Sequence, residues 1–415
     1  MLSKVEDDVR TIDFQAILIT FLLLLLVLST LNGLFSSLDE VTGIIALAVN
    51  ALYFIMGRLK RVSLIIMLLL AALFVDGLAS NFFSGVERTG SEIIIDAIIF
   101  AKPFLIFSAI YQLSESNTLN KLRKLFSITI KIFFLIALLF CFLNQLKIVN
   151  MSQTTNNSIR DFQFFFGFPV SFSIFALALF GIIVDKKISL FKQSYFWVCL
   201  ILVISTLKAQ SLFFITFFVF LSILTNKRKS EIKIRTIVVI SFFSFFSVVP
   251  AVLNYFHTSV YSPRQVLMSG GINLFKQYFP FGSGFATFGS TMASKNYSPI
   301  YLNFGYASLY GMGLDGNKSF LSDNFFAELI GELGLIGILI FGILSIVVAR
   351  VFIVSKLNKN LSSYCIAMFI SLIAINLSSS FFSSSSGALM MCVLAVISKS
   401  NIESELTGTP KLISN

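Results

Sequence analysis

Ser322-Asp-Asn-Phe-Phe-Ala-Glu-Leu-Ile-Gly-Glu-Leu-Gly-Leu-Ile-Gly337 opens an apolar run that continues to residue 349. A run of that length meets the ~20 residues a helix needs to cross a ~30 Å hydrocarbon core. Yet it carries carboxylates. Asn324, Glu328 and Glu332 recur at i, i+4 and i+8 and so share one face of a helix. Glu332 lies roughly two turns in, about 12 Å below the entry at 1.5 Å per residue. A carboxylate at the bilayer centre costs ~2.5–3.5 kcal/mol on insertion scales, so this face is predicted to meet a protein interior or a wet cavity. The competing structural reading is pairing with an Arg or Lys of another helix.

The rest of the chain repeats that apolar character. Of 415 residues, 56% are hydrophobic and 12% charged, which is about half the charged share of a soluble domain. The mean hydropathy of +0.90 and 49 Phe call for a lipid-facing exterior and exclude a water-soluble enzyme. The fold class predicted is all-α, a polytopic membrane protein. A 20-residue ruler gives about twelve candidate spans: 14–34, 41–57, 62–80, 92–112, 124–146, 162–184, 194–207, 210–225, 236–253, 324–349, 361–377 and 381–398. The stretch 194–225 reads as one long or two short helices around Lys208, and the Ser-rich 378–386 softens the last boundary. The first apolar run follows a mixed-charge start and shows no small-residue cleavage site, so it is expected to be a retained span. Cys141, Cys199, Cys365 and Cys392 all fall in apolar stretches without metal-ligand spacing and read as packing residues.

The net charge of +11 follows the same layout. With the N terminus cytoplasmic, the clusters at Arg58, Lys60 and Arg61, at Lys121, Arg123 and Lys124, and at 227–235 all fall on the inner side. Every inner segment is then more basic than its neighbours, both termini are cytoplasmic, and no nucleic-acid partner is needed to explain the charge. Three parts result: an N-terminal bundle of about nine helices (1–253), one large outer-face loop (254–323), and C-terminal helices with a short tail (324–415). A connection as long as 254–323 is functional or disordered, and its Tyr, Phe and Gly content argues against disorder.

Within that loop, Ser262-Pro263 reads as an N-cap and first-turn pair. Leu267, Gly271, Leu274 and Tyr278 then form one stripe of a short amphipathic helix, suited to the membrane surface. Arg264 falls in its first turn, where a guanidinium and free backbone N–H groups together suit an anion. On composition alone, a solvated or snorkelling Arg is the favoured reading. Pro280-Phe-Gly-Ser-Gly-Phe-Ala-Thr-Phe-Gly289 places Gly282, Gly284 and Gly289 where backbone can approach closely; such a run is a turn more often than a phosphate cradle. Lys208 lies at the outer boundary, Arg160-Asp161 is expected to start an outer-face helix, and Asp76 and Asp96 lie towards the same face. Lys102, beside Pro103, reads as buried or snorkelling. His257 is the sole histidine and supports no metal triad.

The succession Arg264, then 280–289, then Tyr297-Ser-Pro-Ile-Tyr301, then Asp323-Asn324 with Glu332-Leu-Gly-Leu-Ile-Gly337 resembles the Wzy-type O-antigen and polysaccharide polymerases of the O-antigen ligase superfamily. The shared pattern covers roughly residues 200–345. In the ligase branch the loop-end motif begins His-Asn; here Asp323 takes the His place, which suits the polymerase branch. The resemblance implies a membrane-embedded GT-C-like glycosyltransferase that uses undecaprenyl-diphosphate-linked oligosaccharide as donor and acceptor. It builds O-antigen (lipopolysaccharide), capsule or exopolysaccharide on the outer face of the bacterial inner membrane. A chain-length regulator (polysaccharide co-polymerase) and a flippase are the implied protein partners, and no cofactor or metal is expected. The alternatives are an O-antigen ligase-type transferase and a lipid-linked oligosaccharide flippase; no internal repeat of the kind transporters show is visible.

On this reading Arg264, with Lys208 or Arg160, stabilises charge on the departing diphosphate. Asp323 or Glu332 accepts the proton of the attacking hydroxyl, Asp323 being favoured because it lies at the rim. Glu332 alternatively fixes its helix by pairing with a buried cation. Gly282, Gly284, Tyr297, Tyr301 and Asn324 complete the expected sugar and diphosphate contacts; an interfacial aromatic belt is the plainer explanation for the tyrosines.

Overall fold

A computed structural model describes residues 14–31, 35, 37–153, 159–185, 188, 190–227, 262–314, 318–355, 357, 359–377 and 379–400. Among these residues every regular element is helical. The helices are α1 (Phe14–Ser29), α2 (Leu38–Ile55), α3 (Arg61–Ser84), α4 (Gly90–Leu113), α5 (Thr118–Gln145), α6 (Pro169–Ile183), α7 (Ser194–Ser205), α8 (Ala209–Lys227), α9 (Pro263–Gln277), α10 (Thr291–Lys295), α11 (Pro299–Asn303), α12 (Phe325–Val354), α13 (Lys359–Ala374) and α14 (Ser385–Ser398), with short 3-10 turns between some of them. Six helical segments are long and apolar enough to cross a membrane: α2, α3, α4, α5, α12, and α13 together with the 3-10 turn after it. Five more, α1, α6, α7, α8 and α14, are apolar but shorter. The described residues are thus all-helical in their regular elements, and their apolar helices mark a membrane-embedded protein. Eleven of the expected spans overlap these apolar helices, six of which are long enough to cross a membrane; 236–253 lies outside the described residues, as do His257 and both termini.

Which helices lie inside follows from their sequences. Helix α14 is apolar all round, without a charge, and is buried from Ser386 to Ser398. It packs against α1, α4, α6 and α13. A helix hydrophobic on every side belongs in an interior. The outer helices instead expose large side chains, among them Phe82 (82%), Ile346 (67%) and Phe142 (61%). That exterior is stable only against lipid.

Local chemistry sets the ends. Thr89 and Glu92 form a capping box that starts α4. The expected break around Lys208 is real: α7 ends at Ser205, Leu207 takes a positive φ of 52°, and α8 begins at Ala209. The span expected from 162 begins only at Pro169, the first-turn residue of α6. Residues 162–168 are apolar but irregular, with Phe164 at φ 54°. Arg160 and Asp161 therefore precede an irregular segment and do not start a helix. Lys102 is buried within α4 and forms an ion pair with Asp39 in the first turn of α2, also buried. This settles the choice between burial and snorkelling.

The unit formed by residues 262–314 and 318–323 rests on α12. Helix α9 begins at the expected Ser262-Pro263 pair and turns Leu267, Gly271 and Leu274 inward. Gly271 allows contact with the α12 backbone at Ala327. Together with Phe288, Tyr297, Tyr301 and Tyr306, these residues close a second small core over the helix entrance.

Helix α12 is not continuous. Gly334 has φ 59° and ψ −150°, a conformation essentially confined to glycine. Residues 280–284 fill the break: Ser283 N donates to Gly331 O (2.8 Å), Gly284 N to Glu332 O (2.8 Å), and Leu335 N to Pro280 O (2.9 Å). A side chain on Gly334 would overlap the Phe281 carbonyl. Gly334→Ala should therefore lower stability by about 1–3 kcal/mol or more. Gly342→Ala, where no atom lies within 4 Å of the new methyl, should leave the unfolding temperature of the detergent-purified protein unchanged.

Candidate functional site

The site is assembled around the segment 280–289, which three helices hold by its backbone. From α3, the Asn81 carboxamide donates to Phe285 O (2.9 Å) and accepts from Phe285 N (2.9 Å). Ser84 Oγ donates to Ser283 O (2.7 Å). From α4, Asp96 Oδ2 accepts from Ala286 N (2.8 Å). From α12, Glu332 Oε1 accepts from Thr287 N (2.9 Å) and Phe288 N (2.8 Å). A carboxylate that receives two backbone amides is well solvated without water. The buried Glu332 is thereby explained, although its donors are a loop and not the cation expected for a structural role.

The glycines serve the same packing. A side chain on Gly282 would overlap the Glu332 carbonyl, and one on Gly284, at φ 92°, would overlap Asn81. Both close approaches are to protein backbone and a carboxamide. Tyr301 is fully buried; its hydroxyl accepts from Gly289 N (2.8 Å) and donates to Leu321 O (3.4 Å). The Tyr297 hydroxyl donates to Met312 O (3.0 Å). Asn324 is buried at the N-cap of α12, accepting from Ala327 N (3.1 Å). These five expected contact residues build the frame of the site.

The rim holds an ion pair. Arg264, in the first turn of α9, reaches the residue before the N-cap of α12: its Nη2 lies 2.8 Å and its Nε 3.0 Å from Asp323 Oδ2. Their side chains are 20% and 28% exposed, so the pair remains accessible. Burial pushes the Asp323 carboxyl above the usual carboxylate range, and the guanidinium partly opposes that rise. The result is a carboxylate more basic than a free one, next to a fixed positive charge.

Lys208 and Arg160 belong to a second polar cluster. Lys208 Nζ lies 3.4 Å from Asp161 Oδ2. Arg160 exchanges hydrogen bonds with Gln145 through its backbone and donates to Val149 O (3.4 Å). These contacts tie the 147–161 connection to the α7–α8 break.

Sequence reading did not single out Asp96, Asn81 or Ser84 for the site. Asp96 had a usable signal, a carboxylate inside an apolar span, where it is costly without partners. Asn81 and Ser84 resemble ordinary polar residues at a helix end, and only the approach of a distant loop distinguishes them. Comparison with protein-family models and with curated proteins yields no match to this chain. Replacing Asn81 with Ala should orphan both polar groups of Phe285 and cost about 1–3 kcal/mol. Faster hydrogen exchange confined to residues 282–289 is the expected readout.

Proposed function

We propose that the chain is a glycosyltransferase that polymerises lipid-linked oligosaccharide repeat units, a Wzy-type polymerase, with Arg264 and Asp323 at its centre. The single observation that carries this reading is the partly exposed Arg264–Asp323 pair at the rim of a buried, backbone-anchored frame. The remaining elements follow from the resemblance: about twelve spans in a GT-C-like arrangement, the bacterial inner membrane as the location, cytoplasmic termini, and a chain-length regulator and flippase as partners. An all-helical chain with eleven apolar helices among its described residues is compatible with that arrangement.

The chemistry is an exchange at the anomeric carbon. The bond from that carbon to the diphosphate oxygen breaks, and the electron pair leaves with the undecaprenyl diphosphate. Arg264 stabilises the negative charge that grows there, with donors fixed before reaction. A hydroxyl of the acceptor unit forms the new glycosidic bond, and Asp323 takes its proton. The ion pair sets the orientation of both groups. Glu332 acts as a positioning residue that holds residues 287 and 288, and Asp323 is left as the base.

Reconstitution with synthetic diphosphate-lipid repeat units tests the reading. Wild type should give a ladder of glycan lengths. Arg264→Ala should reduce it by about 10²–10³-fold and Asp323→Asn by about 10²–10⁴-fold, with both variants inserted normally. An undiminished ladder from Arg264→Ala would falsify the assignment. A single transfer to a different acceptor indicates the ligase, and transport without a new bond the flippase.

The pH profile carries a second prediction. The base acts only when deprotonated, so the rate should fall as pH drops through the raised Asp323 value. That limb should lie above the usual carboxylate range and should vanish in the residual activity of Asp323→Asn.

A further inference from the structure

Asp96, Glu328 and Glu332 bring three carboxylates together beneath the unit that rests on α12. One oxygen from each lies within 4.8 Å of the others, and the residues are 1%, 4% and 1% exposed. Two of them already have work for one oxygen: Asp96 Oδ2 holds Ala286 N, and Glu332 Oε1 holds Thr287 N and Phe288 N. The remaining oxygens are different. Asp96 Oδ1 is buried without a close hydrogen-bond partner, although the Asp96 carboxyl group lies beside the Glu332 carboxyl and the Ser290 hydroxyl. Glu328 contributes a carboxylate oxygen to the cluster, and among the described residues that carboxyl group makes no hydrogen bond or ion pair.

Three negative charges cannot share so small a buried volume uncompensated. Among the described residues no ion pair joins a cation to the cluster. Arg88, which shares Tyr301 as an electrostatic neighbour with Asp96 and Glu332, pairs with Glu92 (3.5 Å) and donates to Asn296 O (3.5 Å) through Nη1, while its Nε and Nη2 are buried without a hydrogen-bond partner. Arg264 pairs with Asp323 and Lys102 with Asp39. What the cluster offers is a set of hard oxygen donors aimed at one point from two helices.

We propose that Asp96, Glu328 and Glu332 bind a hard divalent cation of calcium type, which locks the 286–288 backbone to α4 and α12. Oxygens bound to one such ion at 2.3–2.6 Å lie at most about 5 Å apart, in keeping with the observed grouping. Backbone carbonyls or water complete the coordination such an ion prefers. Asp96 and Glu332 each grip the loop with one oxygen and the ion with the other. The ion is structural: it is enclosed, whereas the Arg264–Asp323 pair lies at the rim. The proposal does not depend on glycosyl transfer.

The test is thermal unfolding of the full-length protein in detergent, after exhaustive chelation and with Ca2+ or Mg2+ added back, together with 45Ca2+ binding. Wild type should bind Ca2+ and show a concentration-dependent rise in unfolding temperature. Glu328→Gln, which removes the arm that holds no part of the loop, should weaken binding at least tenfold and abolish the rise. Asp96→Asn keeps an acceptor for Ala286 N and should weaken binding likewise, so it serves if Glu328→Gln does not fold. Absence of binding and of any shift with either ion in wild type overturns the proposal, leaving protons as the charge balance. Undiminished binding in both variants overturns it as well.

Discussion

A helix that breaks inside a membrane leaves N–H and C=O groups in a medium that cannot satisfy them. In this protein the break falls at Gly334, and residues 280–284 answer it group for group. Most other features of this region follow. The helix must be interrupted by glycine because of its backbone angles, and the answering segment must carry Gly282 and Gly284 to come close enough. Asn81, Ser84, Asp96 and Glu332 are then required to hold that segment still. The rim pair is fixed in turn, since Asp323 precedes the N-cap of the anchored helix and Arg264 lies on the short helix packed against it.

Charge within the apolar body is arranged in two distinct ways. Lys102 with Asp39, Lys208 with Asp161 and Arg264 with Asp323 are matched pairs that join separate helices or connections. The buried one, Lys102–Asp39, is costly to break by removing one member. The carboxylate cluster is unmatched by any of these cations. Matched pairs balance their own charge; the cluster balances its charge with protons or with the cation proposed above. Of the matched pairs, Lys102–Asp39 is buried, whereas Arg264–Asp323 is partly exposed at the rim.

Much of the helical layout was legible in the sequence because hydrocarbon thickness imposes a length that side-chain composition must respect. The boundary at 162 failed for a physical reason: Phe162, Phe164 and Phe166 are as apolar as helix residues, but they fill space as irregular chain until Pro169 permits a first turn. In the site, the Asn324–Glu328–Glu332 face was readable from spacing, and the burial of all three agrees with it. Arg264 beside Asp323 was reached through the order of motifs, with no sequence measure of their distance. What Glu332 holds was not readable, because its partners are backbone amides and carry no sequence signature. The same limit applies to Asn81, whose partner lies 204 residues further along.

That separation bears on how the molecule is made. A ribosome delivers α3 and α4 to the bilayer long before residues 280–289 exist, and domains form from the N terminus during synthesis. Asn81, Ser84 and Asp96 therefore wait in a half-built bundle, with an acidic group and a carboxamide already at membrane depth. Only when α12 has entered and closed on the loop do these early side chains acquire their permanent neighbours. The N-terminal half is inserted first and finished last.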